Sequence, residues 1–344
     1  MGKQHDWLTR TTEVALLPQL PICDPHHHLW DHRETFVRRY LLDDFLADIG
    51  GGHNVVSTVF LECEAFYRAT DRFGGDPAMA PVGETEFANG IAAMAASGLY
   101  GKTQVAAAIV GFADLRLGER VGDVLAAHVQ AGGGRFRGIR HSTAHDDDDR
   151  IIGAHNTSPN KGLYYETAFR RGFAQLAAMD MSFDAWFYHP QIPELEDLAQ
   201  AFPEIPIVMD HVGAPLGIGP YAGRRDEIFA GWSGNITTLA QCPNVHVKLG
   251  GLAMKLTGFG HHKLDRPASL ETLAEAWKPY LLHCIEAFGP ERCMFESNFP
   301  VDKASCGYTT LWNAFKRLVV GFSEAEKAAL FHDTAARFYR IQGN

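Results

Sequence analysis

The sequence predicts an α/β fold, a (β/α)8 TIM barrel, and three observations predict it. Eight short apolar runs recur along the 344 residues. Most of them end in polar or glycine residues. Stretches with helical spacing of apolar side chains separate them. Continuous apolar runs rich in β-branched and aromatic residues suit parallel strands covered on both faces, and regular alternation with helices suits a barrel. An open doubly wound sheet is the alternative architecture. No G-x-G-x-x-G follows a strand, which weakens its dinucleotide-binding form. No linker-like shift in composition and no internal repeat interrupts the chain, so residues 1–344 read as one domain.

The first predicted strand is Ile22-Cys23-Asp24-Pro25-His26-His27-His28, followed by Leu29-Trp30-Asp31. Alternate side chains of a strand share a face, so His26 and His28 point one way and His27 the other. The second run is Val55 to Cys63, with Glu62 near its end; the third is Val105 to Phe112; the fourth is Phe136 to His141. The fifth runs from Phe183 to His189, the sixth from Ile205 to His211, the seventh from Val245 to Gly251 and the eighth from Cys293 to Pro300. Helical spacing appears over 121–132, 168–180, 193–202, 273–289 and 323–341. The last begins with Ser323 and Glu326 in capping-box spacing. Three polar or Gly/Pro-rich stretches, 67–84, 142–161 and 214–231, each follow a strand and are expected on the catalytic face as lids or binding segments. The acidic run Asp146 to Asp149 reads as a solvated surface, because adjacent carboxylates repel without a cation.

Bulk composition narrows the function. Hydrophobic residues make up 46% of the chain, enough for a large core and against disorder. The net charge of -10, with no long basic run, gives nucleic-acid binding little electrostatic support. The six cysteines form no C-x-x-C pair and several lie in apolar runs, which suits buried reduced thiols and a cytoplasmic protein. The first twenty residues lack an apolar core of signal-peptide length, Met1-Gly2 lacks the rest of a myristoylation motif, and no run is long enough to span a membrane. An exposed apolar helix face would allow a homo-oligomer.

Candidate chemistry gathers at the strand ends. His26 and His28 close the first strand; Arg140 and His141 end the fourth; His189 ends the fifth; His211 ends the sixth; Glu296 and Asn298 lie in the eighth. Imidazoles aimed at one spot hold a metal, polarise a carbonyl or relay a proton, and a barrel brings such strand ends to one mouth. Arg140 suits a substrate carboxylate by its fork geometry, or else closes an ion pair. Trp186 and Tyr188 either line the pocket or pack in the core. Glu62, if it faces inward, needs a partner, and Lys248 in the seventh run is either buried and functional or at the barrel's edge.

The motifs DPHHHLWD, FRGIRH, FYHP, MDHVGAP and FESNFP, in this order, resemble those of the amidohydrolase superfamily, in the branch of sugar lactonases and pyrone-dicarboxylate lactonase. The resemblance runs from Asp24 to about Arg340. It implies a distorted (β/α)8 barrel. It also matches His26 and His28 to the paired histidines of the first strand, and His189 and His211 to those after strands five and six. Asn298 stands where the family has an acidic residue after strand eight. Neutral Asn is no base near neutral pH, so Glu296, two residues earlier on the same face, or Asp302 is expected to supply the carboxylate. The fourth strand has no lysine, which argues against a dinuclear site. One divalent ion, zinc, would take His26, His28 and His211 as ligands and leave a position for water; the alternative is metal-independent polarisation by histidines and arginine. The implied activity is water attack on a small carbonyl substrate, a lactone or related ester or amide. A metal-dependent nonoxidative decarboxylase of an aromatic or unsaturated acid is the alternative. A non-catalytic binding protein on the same scaffold has only the Asn298 departure in its favour.

Overall fold

The computed structural model describes residues 7–31, 39–152 and 160–342. The Met1-Gly2 start and part of the 142–161 stretch lie outside the described residues. Eight parallel strands form one sheet in the order of the chain: β1 Pro21–His27, β2 Asn54–Leu61, β3 Gln104–Gly111, β4 Phe136–Arg140, β5 Ser182–Ala185, β6 Ile207–Met209, β7 Val245–Leu249 and β8 Cys293–Phe295. Each pairs with the next. The ring is brought together beyond the end of β8, where His28 N donates to Phe299 O (2.8 Å) and Asn298 N donates to His26 O (2.9 Å). All eight predicted strands are present.

One main helix follows each strand: α1 Leu42–Ile49, α2 Val82–Ala96, α3 Val121–Ala131, α4 Thr167–Ala178, α5 Ile192–Ala201, α6 Arg225–Leu239, α7 Leu270–Phe288 and α8 Tyr308–Leu318. Four of these, α1, α2, α6 and α8, had not been assigned from spacing. Two of the expected loops are shorter than the sequence suggests, because α2 begins at Val82 and α6 at Arg225. Both helices carry glycine and polar residues on their exposed faces, which blurs the 3.6-residue pattern. The C-terminal segment starts as expected: Ser323 Oγ accepts from Glu326 N and Ser323 N donates to Glu326 Oε2. It continues through a π turn, Ala329–Asp333, into Thr334–Phe338. Among the described residues no helix is long and apolar enough to cross a membrane. All six cysteines are unpaired and five are buried.

The core has two layers. A large apolar cluster fills the space between strands and helices. A smaller one joins Cys23, Val59, Leu61, Ala108, Val110, Val208 and Met294 to Ala335, Phe338 and Tyr339. Strands β2 and β6 are not neighbours, so contact between their side chains runs through the barrel axis. The C-terminal segment therefore plugs one end of the barrel. A bulge in β1 between Asp24 and His27 shifts the alternation by one residue. His27 then faces the helix layer, stacked 4.2 Å from Phe45 of α1, while His26 and His28 face inward.

Helix α4 lies backbone-to-backbone on the Leu115–Arg120 turn that follows β3. A Cβ on Gly172 would sit 2.1 Å from Leu115 O, so only glycine permits this approach. Gly172→Ala is expected to destabilise the protein by about 1–3 kcal/mol through overpacking. Gly234→Ala, on the open face of α6 with nothing within 4 Å, should stabilise it by about 0.5–1 kcal/mol. Urea unfolding of the two variants measures both.

Candidate active site

At the C-terminal ends of the strands, side chains from β1, β4, β5, β6, β7 and β8 meet in a buried polar cluster. His26 Nε2 and His28 Nε2 are 3.2 Å apart. The His211 ring lies 4.5 Å from that of His26, centroid to centroid. Glu296 supports two of the three rings: Oε1 is 2.6 Å from His211 Nδ1, and Oε2 is 2.9 Å from His26 Nδ1. The His211 backbone N also donates to Oε1 at 3.1 Å. The His28 Nδ1 is held by Leu61 O at 2.9 Å. Each imidazole thus has its Nδ1 beside an acceptor, which directs Nε2 into the cluster. The alternation read from the sequence accounts for the placement of His26, His28 and Glu296.

The charges around these rings are balanced by neighbours. Lys248 Nζ lies 2.6 Å from Asp184 Oδ2, 3.0 Å from Asp210 Oδ1 and 3.1 Å from His26 Nδ1. Arg140 Nε donates to Glu62 Oε1 at 2.6 Å, and Nη2 to the Glu62 carbonyl. The remaining edge of its guanidinium faces His26 Nε2 (3.4 Å) and Asp210 Oδ2 (3.7 Å). The inward acid Glu62 therefore has its partner, and most of the Arg140 fork is occupied by it. Burial alone would raise the Glu296 pKa, but His211 and His26 outweigh it and hold the carboxyl at about 2. Asp210 is likewise held well below the carboxylate range: burial opposes ionisation, and Lys248 and His26 overcome it. Burial and the Lys248 charge push His26 down to about 4, so its ring is neutral near neutral pH.

His26 Nδ1 has three competing neighbours, Lys248 Nζ, Glu296 Oε2 and, at 3.6 Å, Asp210 Oδ1, and the choice sets its tautomer. If Nδ1 accepts from Lys248, Nε2 carries the proton and donates to His28 Nε2. If Nδ1 donates to Glu296, both Nε2 atoms present lone pairs 3.2 Å apart. That separation is close to the roughly 3.3 Å between two imidazole nitrogens on one tetrahedral zinc. Three further features fit a cation. Beyond their charged neighbours His26, Lys248 and Arg140, Glu296 Oε2 and both Asp210 oxygens are buried without a hydrogen-bond partner. Three buried carboxylates, Asp184, Asp210 and Glu296, face a single buried ammonium. Donor atoms of His26, His211 and Glu296 also lie within 4.8 Å of one another.

The other sequence candidates are placed outside this centre. Trp186 packs in a T-shaped contact with His211, ring centroids 5.0 Å apart, and roofs the cluster together with Tyr188, Leu216, Met254 and Leu256. Trp30 stacks beside His28 at 6.0 Å. His189 accepts from Leu216 N and packs against Tyr221, and Tyr221 donates to Asp146 at 2.8 Å. It belongs to the loops over the mouth, as does the start of the acidic run, where Asp147 pairs with Lys161 and Asp148 with Arg150. His141 turns away to accept from Leu115 N and to pack on Phe112 and Phe169. Asn298 has φ +53°, a region in which Asn is tolerated better than most residues. Its Nδ2 donates to Asp302 Oδ1 at 3.0 Å. Burial and the nearby Glu296 push the Asp302 carboxyl well up, and it serves as a brace for Asn298 behind the site.

Two buried acids were not singled out from the sequence. Asp210 directly precedes His211 in MDH, and Asp184 sits in the apolar run FDAWF. The available signal was Lys248: a buried ammonium requires acidic partners, and these two are among the acids embedded in predicted strands. Clefts of about 600 Å³, beside Arg135 and Arg137, and about 420 Å³, beside Arg68 and Met79, lie elsewhere and contain no histidine.

The family model described as Amidohydrolase matches residues 23–341. The chain belongs to the amidohydrolase family. Among curated proteins this amidohydrolase is 35% identical to an uncharacterized protein of Sinorhizobium fredii, over 94% of this chain and 100% of that protein. It is 29% identical to an L-fucono-1,5-lactonase of Burkholderia multivorans, over 68% of this chain and 72% of that one. Among solved structures, an amidohydrolase of Burkholderia multivorans with bound zinc superposes with a TM-score of 0.70 at 25% identity, covering 93% of this chain and 99% of that one. A putative 2-pyrone-4,6-dicarboxylic acid hydrolase of Pseudomonas putida shares the fold, with a TM-score of 0.62 at 18% identity over 94% and 99% of the two chains.

Replacing Glu296 by Gln leaves the two Nδ1 atoms without their carboxylate. Glu296→Gln is expected to lower kcat by about 10²-fold or more. Asp302→Asn keeps the brace to Asn298 and should stay within about threefold of wild type, because a hydrogen bond that is retained costs little. Steady-state hydrolysis by the two variants checks the contrast.

Proposed function

We propose that this amidohydrolase opens the ring of a small lactone, a sugar-acid lactone first of all, by attack of water at the carbonyl. The observation that carries the reading is the clustering of three imidazoles, His28 and His211 both against His26, beside ionised Asp210, which lies 3.6 Å from His26 Nδ1 and is flanked by Arg140 and Lys248. The likeness to a named L-fucono-1,5-lactonase over two thirds of both chains supports it.

In this reading the carbonyl oxygen is turned toward the Arg140 edge that faces His26 and Asp210, where negative charge develops as water adds. Asp210 takes the proton of the attacking water at Oδ2, the oxygen that Lys248 does not hold. Lys248 keeps that carboxylate ionised, and Glu296 keeps the His26 and His211 rings aimed inward. The Trp186 and Tyr188 roof excludes bulk water, which strengthens each of these interactions. His26, His28 and His211 would hold a divalent ion, with Glu296 orienting two of the rings, and such an ion supplies Lewis acidity at the carbonyl and lowers the pKa of bound water. Grouping of Glu296 with His26 and His211 also favours a second reading, metal-dependent decarboxylation of an aromatic acid.

Proton release from a panel of aldonolactones, L-fucono-1,5-lactone included, tests the proposal; saturable turnover is expected. Release of carbon dioxide from 2,6-dihydroxybenzoate with no lactone turnover would establish the second reading in its place. Asp210→Asn should reduce kcat by about 10²–10⁴-fold. Metal analysis of the purified chain should find about one divalent ion per chain, lost from a His28→Ala variant. Full turnover by metal-stripped protein would assign the polarisation to Arg140 and the histidines alone.

A further inference from the structure

Tyr339 is the innermost residue of the C-terminal plug, and its position is fixed at both ends. Its backbone N donates to Ala335 O at 3.0 Å, and its carbonyl accepts from Arg137 Nε at 2.8 Å. Its side chain is fully buried among barrel-interior residues of β1, β2, β3, β6 and β8. The phenol reaches along the barrel axis and donates to Asp184 Oδ2 at 2.6 Å. That same oxygen receives Lys248 Nζ at 2.6 Å, while Asp184 Oδ1 has no partner. Lys248 in turn touches Asp210 Oδ1 and His26 Nδ1. A continuous buried chain thus runs from the end of the polypeptide to the strand-end cluster: phenol, carboxylate, ammonium, then carboxylate and imidazole.

We propose that Tyr339 is a positioning residue for the active site, acting through Asp184 and Lys248 on Asp210 and the His26 ring. The inference rests on the lactone-hydrolase reading for its kinetic consequence but not for its structural one. A lysine ammonium has three donors, and here it faces three acceptors. With the phenol bound, Asp184 is pinned on the side away from the site and claims one donor, leaving two for Asp210 and His26. Without it, the buried Asp184 carboxylate keeps only Lys248, is free to turn, and draws the ammonium off His26 Nδ1. The placement of the Lys248 ammonium between Asp184, Asp210 and His26 is the quantity at stake, because Glu296 Oε2 stands 2.9 Å from the same His26 nitrogen.

Tyr339→Phe removes one oxygen and keeps the plug's shape. Its kcat is expected to fall by about ten- to a hundredfold with KM within about twofold, as for a displacement of the reacting groups rather than of the binding surface. The imidazole nitrogen resonances of His26, in full-length protein labelled with ¹⁵N-histidine and assigned with a His26→Gln variant, should shift. Phe338→Leu perturbs the same plug beside His246 without touching Asp184, and is expected to leave kcat and the His26 resonances as in wild type. Equal kinetic losses in both variants, or unmoved His26 resonances in Tyr339→Phe, would overturn the proposal. Should Tyr339→Phe fail to fold, Asp184→Asn breaks the same link, and unmoved resonances there overturn it equally. If wild type turns over no lactone, the lactone reading falls, while the resonance comparison still decides the role of Tyr339.

Discussion

A lysine ammonium sealed inside a β-barrel is the constraint around which the site is built. Lys248 has no access to water, and an unpaired charge there would cost several kcal/mol. Asp184 on β5 and Asp210 after β6 answer it directly, and His26 on β1 accepts a further contact. Each partner comes from a different strand, so the pairing requires a closed ring of strands in the observed order. Once the ammonium is satisfied, Asp210 stays ionised in a dry environment and His26 stays neutral. Those two protonation states are what water activation at a carbonyl requires.

The histidines gain their direction in a similar way. A strand supplies a side chain's face but not the torsion of its ring. Here one carboxylate, Glu296, fixes two rings and a main-chain carbonyl fixes the third. The result is a set of Nε2 atoms directed into the cluster, an arrangement equally suited to a divalent ion and to hydrogen bonding with a substrate oxygen. The apolar roof of Trp186, Tyr188 and their neighbours completes the site by keeping the dielectric low. Replacement of the family's acidic residue by Asn298 does not empty the site of carboxylates. Asn298 accepts the left-handed backbone at this turn and binds Asp302, while Glu296 and Asp210 are the carboxylates held ionised.

The strand ladder was legible because parallel strands buried on both faces leave continuous apolar runs, and all eight runs became strands. Helices with clean amphipathic spacing, such as α3, α4, α5 and α7, were legible for the same reason. Helices α2 and α6 were not, since alanine, glycine and threonine on their faces weaken the periodic signal. Period-two alternation also put His26 with His28 and Glu296 with Asn298 on shared faces. It placed His189 and His141 among the strand ends as well. It could not separate His211, which turns into the cluster, from His189, which belongs to the loops above it, because loop torsions decide that difference.

By itself the sequence determined the barrel, the order of its strands, the shared face of His26 and His28 and the family motifs, all of which follow from local periodicity and residue type. Tertiary structure alone decided which charges meet. Asp210 and Asp184 became partners of Lys248, Glu62 took the fork of Arg140, and Tyr339 from the chain's end reached the middle of the barrel. Those pairings depend on distances between residues up to hundreds of positions apart, and electrostatic interaction in a dry interior is set by distance in space, for which the sequence holds no local signal.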